Sequence, residues 1–143
     1  MVFNSAIGEK TKLIADYIGK LELISKKSEE EFIRDPFIPD AAERNLQLAI
    51  EAAADIGNFI IRRKGFESPQ SYQDIFRILC DRGVLPLEMR DDIVEMARFR
   101  NLLVHGYAKL DKRRVYSILR SDLGQLRKLA SLLAAAAGEL NKP

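Results

Sequence analysis

At 143 residues the chain has the size of one domain and can bury a core without disulfides or a structural metal. One cysteine, Cys80, and one histidine, His105, exclude an internal disulfide and a soft-ligand zinc or cluster site, although carboxylates still suit a hard cation. A formal net charge of +2 is too small to demand a polyanionic partner, so a case for nucleic acid rests on where the charges lie.

Leu, Ile, Ala, Lys, Arg and Glu dominate, glycine and proline are few and tryptophan is absent, which favours helices over sheet. The N-terminus has no basic region leading into an apolar run, so no signal peptide is expected. The longest apolar run, Leu129 to Ala137, is interrupted by Ser131 and is too short to span a bilayer. The expectation is a soluble cytoplasmic protein with no membrane partner.

In chain order, Ile14, Tyr17, Ile18, Leu21 and Ile24 recur at helical intervals between about Ser5 and Lys27, one apolar stripe of an amphipathic helix. Ser28 and Glu31 have capping-box spacing for a short turn before Pro36 and Pro39 interrupt regularity. Asp40 and Glu43 repeat the capping-box pattern, and Leu46, Ala49, Ile50, Ala53, Ile56 and Ile60 carry a helix from there to a stop at Gly65. Its alanines permit close approach by a neighbour, which places it centrally. Asp55 and Asn58, three apart on that helix, read as an ordinary solvated or hydrogen-bonded pair rather than as support for a site.

Ser71 to Arg82 carries Ile75, Phe76 and Leu79 before Gly83, with Cys80 as a small core residue. A fourth helix after Pro86 buries Met89, Ile93, Met96 and Leu103 and stops near Gly106. A final helix starts at the N-cap Asp111, carries Val115, Leu119, Leu126 and Leu133, and ends at Gly138. No strand pattern or internal repeat emerges. The expected architecture is a single all-α domain over residues 1–143, an antiparallel up-and-down bundle of about five helices, four of them long.

The chemistry concentrates at the end of the fourth helix. Arg100 can fork onto phosphate oxygens, and His105 titrates near neutral pH and can take or return a proton. Around the histidine, from Arg98 to Arg114, six cations, Arg100 among them, face one acid, Asp111. Five residues of helix turn ~500°, which leaves Arg100 and His105 roughly 140° apart around the axis. They converge if Gly106 takes a left-handed conformation that redirects the chain, or if two copies pool their residues in one groove. RNA cleavage through its own 2′-hydroxyl needs a base and an acid, and one chain has one imidazole, so a twofold dimer answers both problems without metal. On spacing alone, the ordinary reading of a lone histidine at a helix end is a partner for the terminal carbonyls.

The run Phe99-Arg100-Asn101-Leu102-Leu103-Val104-His105-Gly106-Tyr107 resembles the Arg-x4-His-x-Tyr motif of HepT-like toxins in the HEPN superfamily. Glu43 to Glu51, Asp55 to Asn58, Tyr72 to Leu79 and Asp111 to Leu119 are similar to flanking parts of that family, so the resemblance spans most of the chain. It implies an all-helical homodimer with a metal-independent, cofactor-free ribonuclease site between protomers and Arg100 and His105 as the catalytic pair. It further implies a type VII toxin–antitoxin system, in which an MntA-like minimal nucleotidyltransferase transfers AMP to Tyr107. An adenylyl group there adds bulk and negative charge beside the phosphate site. Asn101 is a secondary candidate, to hold the RNA backbone or to cap the helix. Lys109, Lys112, Arg113 and Arg114 form a candidate RNA approach surface, against the ordinary reading of a solvated helix start. The alternative to an enzyme is a non-catalytic HEPN helical partner that binds a nucleotide or a nucleotidyltransferase.

Overall fold

In the computed structural model, which describes residues 5–106 and 111–141, the helix Ile38–Lys64 is the element on which most of the others pack. In chain order the elements are α1 (Ser5–Ser25), α2 (Glu29–Arg34), α3 (Ile38–Lys64), α4 (Tyr72–Asp81), a 3-10 turn (Leu87–Met89), α5 (Arg90–His105), α6 (Lys112–Ser121) and α7 (Leu123–Leu140). No strand occurs among the described residues. The expected all-α bundle is present. Among the described residues seven α-helices replace the expected five.

α3 is central because its inner face is small. Ala49, Ala52, Ala53 and Ala54 are buried, which brings the backbones of its neighbours close. At Gly57 the approach is tighter still: a Cβ there would lie 2.8 Å from Ile75 Cγ2 on α4. α1 lays Ile14, Ile18 and Leu21 against this core, and Lys10 pairs with Asp55 at 2.9 Å, so the start of α1 meets the second half of α3. Asp55 thus serves an ion pair between helices. The α4 and α5 helices also run antiparallel, with Asp81 beside Arg90 at 3.1 Å and Gln73 beside Asn101 at 3.4 Å. One apolar cluster draws on all seven helices.

Several local signals act as their chemistry predicts. Ser28 and Glu31 complete a reciprocal capping box at α2, and Ser71 Oγ accepts the Asp74 N–H at 3.1 Å to cap α4. Gly65 and Gly83 sit at φ +69° and +78°, the left-handed region that ends a helix cheaply only at glycine.

Other boundaries differ from expectation. α3 begins at Ile38, and Asp40 lies inside its first turn instead of capping it. Pro39 fits the first turn because its missing N–H is one the helix would leave unpaired anyway. Asp35 satisfies the entry, its Oδ1 accepting the N–H groups of Phe37 at 2.8 Å and Ile38 at 2.9 Å. The expected long final helix is two helices, broken at Asp122. Ser121 Oγ donates to the Ser117 carbonyl at 2.7 Å, a bond back along the helix of the kind that bends it. The buried stripe Val115, Leu119, Leu123, Leu126 runs across the break, so periodicity conceals it. Gly138 does not end α7, which continues to Leu140.

Candidate active site

The last turns of α5 present chemistry on two sides. Arg100 turns inward, toward α3 and α4. Its Nε donates to Glu51 Oε2 at 2.8 Å and its Nη2 lies 2.7 Å from the same oxygen. Its Cζ stands 4.2 Å from the centre of the Tyr72 ring, a cation–π contact, and its Nη1 donates to Asn101 Oδ1 at 3.3 Å. Only 13% of the Arg100 side chain is exposed. Gln47 Nε2 adds a third donor to Glu51 Oε2 at 3.0 Å. Burial pushes the Glu51 carboxyl up, but the hydrogen bonds from Gln47 and Arg100 outweigh it and hold the group below the ordinary carboxylate range.

His105, the last residue of α5, is exposed. It lines an open groove of about 410 Å³ together with Gln73, Arg98, Asn101, Gly106 and Arg114. Phe99 and Leu102 supply apolar wall, and Glu95 is the acid there, paired with Arg98. Arg114, from α6, lies over the Phe99 ring at 5.4 Å. The groove is thus a cationic strip around an imidazole with aromatic and amide groups, suited to a phosphate backbone and its bases. It continues into a cleft between α3, α5 and α6 floored by Leu46, Ile50 and Met96.

Arg100 does not line the groove that holds His105. The helical offset read from their spacing therefore persists in the fold. Asn101 joins the two sides: it accepts from Arg100, donates to Gln73 and lines the groove. Gly106 does not take the left-handed conformation expected of it. Its φ is −72° and ψ 115°, and its N–H donates to the Leu102 carbonyl at 2.9 Å. Glycine is required there by crowding, since a Cβ would lie 2.5 Å from the Leu102 oxygen.

The expected basic surface divides. Arg114 joins the groove, whereas Arg113 reaches α2 and pairs with Glu29 at 2.9 Å, and Lys112 is half-buried without lining the groove. Asp111 caps α6 by accepting the Arg113 N–H at 3.0 Å. Tyr107 and Lys109 lie outside the described residues. Glu51, Tyr72 and Gln73 are participants that motif spacing does not single out. The signals available for Glu51 were its place at the end of the family-like segment Glu43 to Glu51 and its position four residues after Gln47 on one helix face. Among the described residues no three His, Cys, Asp or Glu side chains gather to hold a metal ion. No helix among them is long and apolar enough to cross a membrane.

The family described as ribonuclease HepT-like matches residues 14–133. The mRNA nuclease HepT of Shewanella oneidensis is 29% identical over 132 residues, 92% of this chain and 98% of that protein. The tRNA nuclease HepT of Aphanizomenon flos-aquae is 28% identical over 122 residues, 83% of this chain and 81% of that protein. Among solved structures, the tri-AMPylated Shewanella oneidensis HEPN toxin in complex with its MNT antitoxin superposes with a TM-score of 0.83 at 26% identity, covering 92% of this chain and 98% of that one.

Proposed function

This chain belongs to the ribonuclease HepT-like family, and from that premise we propose that it is the endoribonuclease toxin of a toxin–antitoxin pair, cutting RNA without metal at a site shared by two copies. The observation that carries the shared site is the division of α5: Arg100 faces Glu51 and Tyr72, while His105 lies in the groove on another side. A twofold pairing along the end of α5 brings two imidazoles and two guanidiniums to one phosphate. Leu102 and Val104, 42% and 38% exposed on those same turns, offer apolar surface for the second copy.

In this reading one His105 takes the proton of the ribose 2′-hydroxyl, and the 2′-oxygen attacks the adjacent phosphorus. The bond to the 5′-oxygen breaks, leaving a 2′,3′-cyclic phosphate. The second His105, protonated, returns a proton to the departing oxygen. Arg100 and the cations of the groove stabilise charge on the phosphate oxygens. A nucleotidyltransferase antitoxin silences the site by adding AMP to Tyr107, as the tri-AMPylated state of the Shewanella oneidensis relative suggests for this chain.

The test is cleavage of single-stranded RNA in EDTA by the wild type and by His105→Ala, with light scattering for the assembly state. Loss of at least ~100-fold in the variant is expected, the usual scale of acid–base catalysis. Equal cleavage by both, or none by the wild type, rejects the assignment and favours a non-catalytic partner role. Incubation with ATP, magnesium and the cognate nucleotidyltransferase, followed by mass measurement, tests Tyr107. AMP on a Tyr107→Phe variant would place the modification elsewhere.

A further inference from the structure

The guanidinium of Arg100 is more constrained than phosphate binding alone requires. It carries five N–H bonds. Nε and Nη2 point to one oxygen of Glu51, and Nη1 donates to Asn101. Two N–H bonds remain uncommitted, one on each Nη. The Tyr72 ring covers one face of the plane, and the side chain is only 13% exposed. What is left is one N–H bond on each terminal nitrogen, the number of donors that two oxygens of a phosphate can take up.

Glu51 sets that geometry from a different helix, 49 residues away in sequence. Its own orientation is held by Gln47 one turn earlier on α3. Glu51 also cancels much of the charge of Arg100, as Glu95 does for Arg98, so the long-range attraction of RNA falls chiefly to Arg114 in the open groove. An ion pair this sheltered is a poor device for stability alone, because an apolar pair of equal volume would avoid desolvating two charges.

We propose that Glu51 is a positioning residue that aims Arg100, fixing the guanidinium so that its remaining N–H bonds meet the scissile phosphate. The inference rests on the reading of Arg100 as the phosphate clamp of a ribonuclease.

The test is a double-mutant cycle of Glu51→Ala and Arg100→Ala, read by kcat and KM on a short RNA and by thermal melting. Glu51→Gln serves as the conservative variant, retaining an oxygen that can accept from Arg100. A misaimed catalytic group costs up to ~100-fold. Glu51→Ala is therefore expected to lower kcat by about 10- to 100-fold with KM within about threefold, and Glu51→Gln to restore part of it. In the Arg100→Ala background the same change should alter kcat less than about twofold, because the residue it aims is gone. Equal losses in both backgrounds, or full kcat in Glu51→Ala, overturns the proposal. A second readout needs no activity: labelling of arginines with phenylglyoxal, followed by peptide mass. Arg100 should label more slowly than Arg98 in the wild type and at least about fivefold faster in Glu51→Ala, where nothing holds it, with Glu51→Gln between the two. Unchanged labelling rejects the role of Glu51 even where wild-type cleavage is intact. Faster labelling in a chain that cuts no RNA means that Glu51 holds Arg100 and that the ribonuclease reading has failed.

Discussion

Gly106 offers a perturbation whose size follows from two distances. A Cβ at this position would lie 2.5 Å from the Leu102 carbonyl oxygen, the same oxygen that accepts the Gly106 N–H at 2.9 Å. Ordinary contact begins near 3.4 Å, so Gly106→Ala must open the pair by about 0.9 Å. The obstacle is this contact and not the backbone conformation, because φ −72° is open to any residue. The cheapest relief is to give up the hydrogen bond at the end of α5. That costs about 1 kcal/mol and, for a chain of this length, lowers Tm by about 3 °C. Activity should fall further than stability. His105, the base and acid of the proposed mechanism, is the adjacent residue, and a displacement approaching 1 Å at a group in that role costs ~100-fold. Initial rates on a short single-stranded RNA, with a melt followed by circular dichroism, measure both effects. Wild-type rates together with a wild-type Tm would refute the claim that crowding against Leu102 fixes the end of α5.

Two further outcomes follow from the core. Ala53→Leu inserts volume where α3 is fully buried, and overpacking of this kind should destabilise by about 1–3 kcal/mol, seen as a lower urea midpoint. The Cys80 thiol is pushed up to about 11, by burial first and by Asp81 second, so iodoacetamide at pH 8 should leave it unmodified until the chain unfolds. The sign for stability follows from the same shift. A raised folded value favours the neutral thiol, so its contribution is intact below the ordinary thiol range and is lost as pH rises toward about 11. Cys80→Ala should flatten that alkaline decline, and a decline of equal steepness would count against the assignment.

Much of the fold is legible because its signals act within a few residues. Apolar spacing of three and four, the Ser28–Glu31 box, the Ser71 cap and the glycine stops at Gly65 and Gly83 each concern one or two helical turns, so a linear reading captures them. Their failures are local competitions. Asp35 took the capping role that Asp40 was positioned for, and the helix breaks at Asp122, beside the Ser121 hydroxyl's bond back to Ser117, while its apolar stripe continues. The site divides in the same way. Arg100, Asn101 and His105 share one helix and one family motif, so sequence alone names them, and helical pitch alone says that the two charged groups point apart. Their surroundings were decided elsewhere. Packing of α5 on α3 and α4 chose Glu51 and Tyr72 for Arg100, the docking of α6 against α1, α2 and α3 carried Arg114 to the groove, and the contact of α6 with α2 drew Arg113 away to Glu29. These partners come from other helices, and no periodicity links residues whose distance is set by the docking of one helix on another. The sequence by itself therefore determined which groups are candidates for the chemistry and that helical pitch parts them, and the tertiary structure decided how each is aimed, paired and exposed.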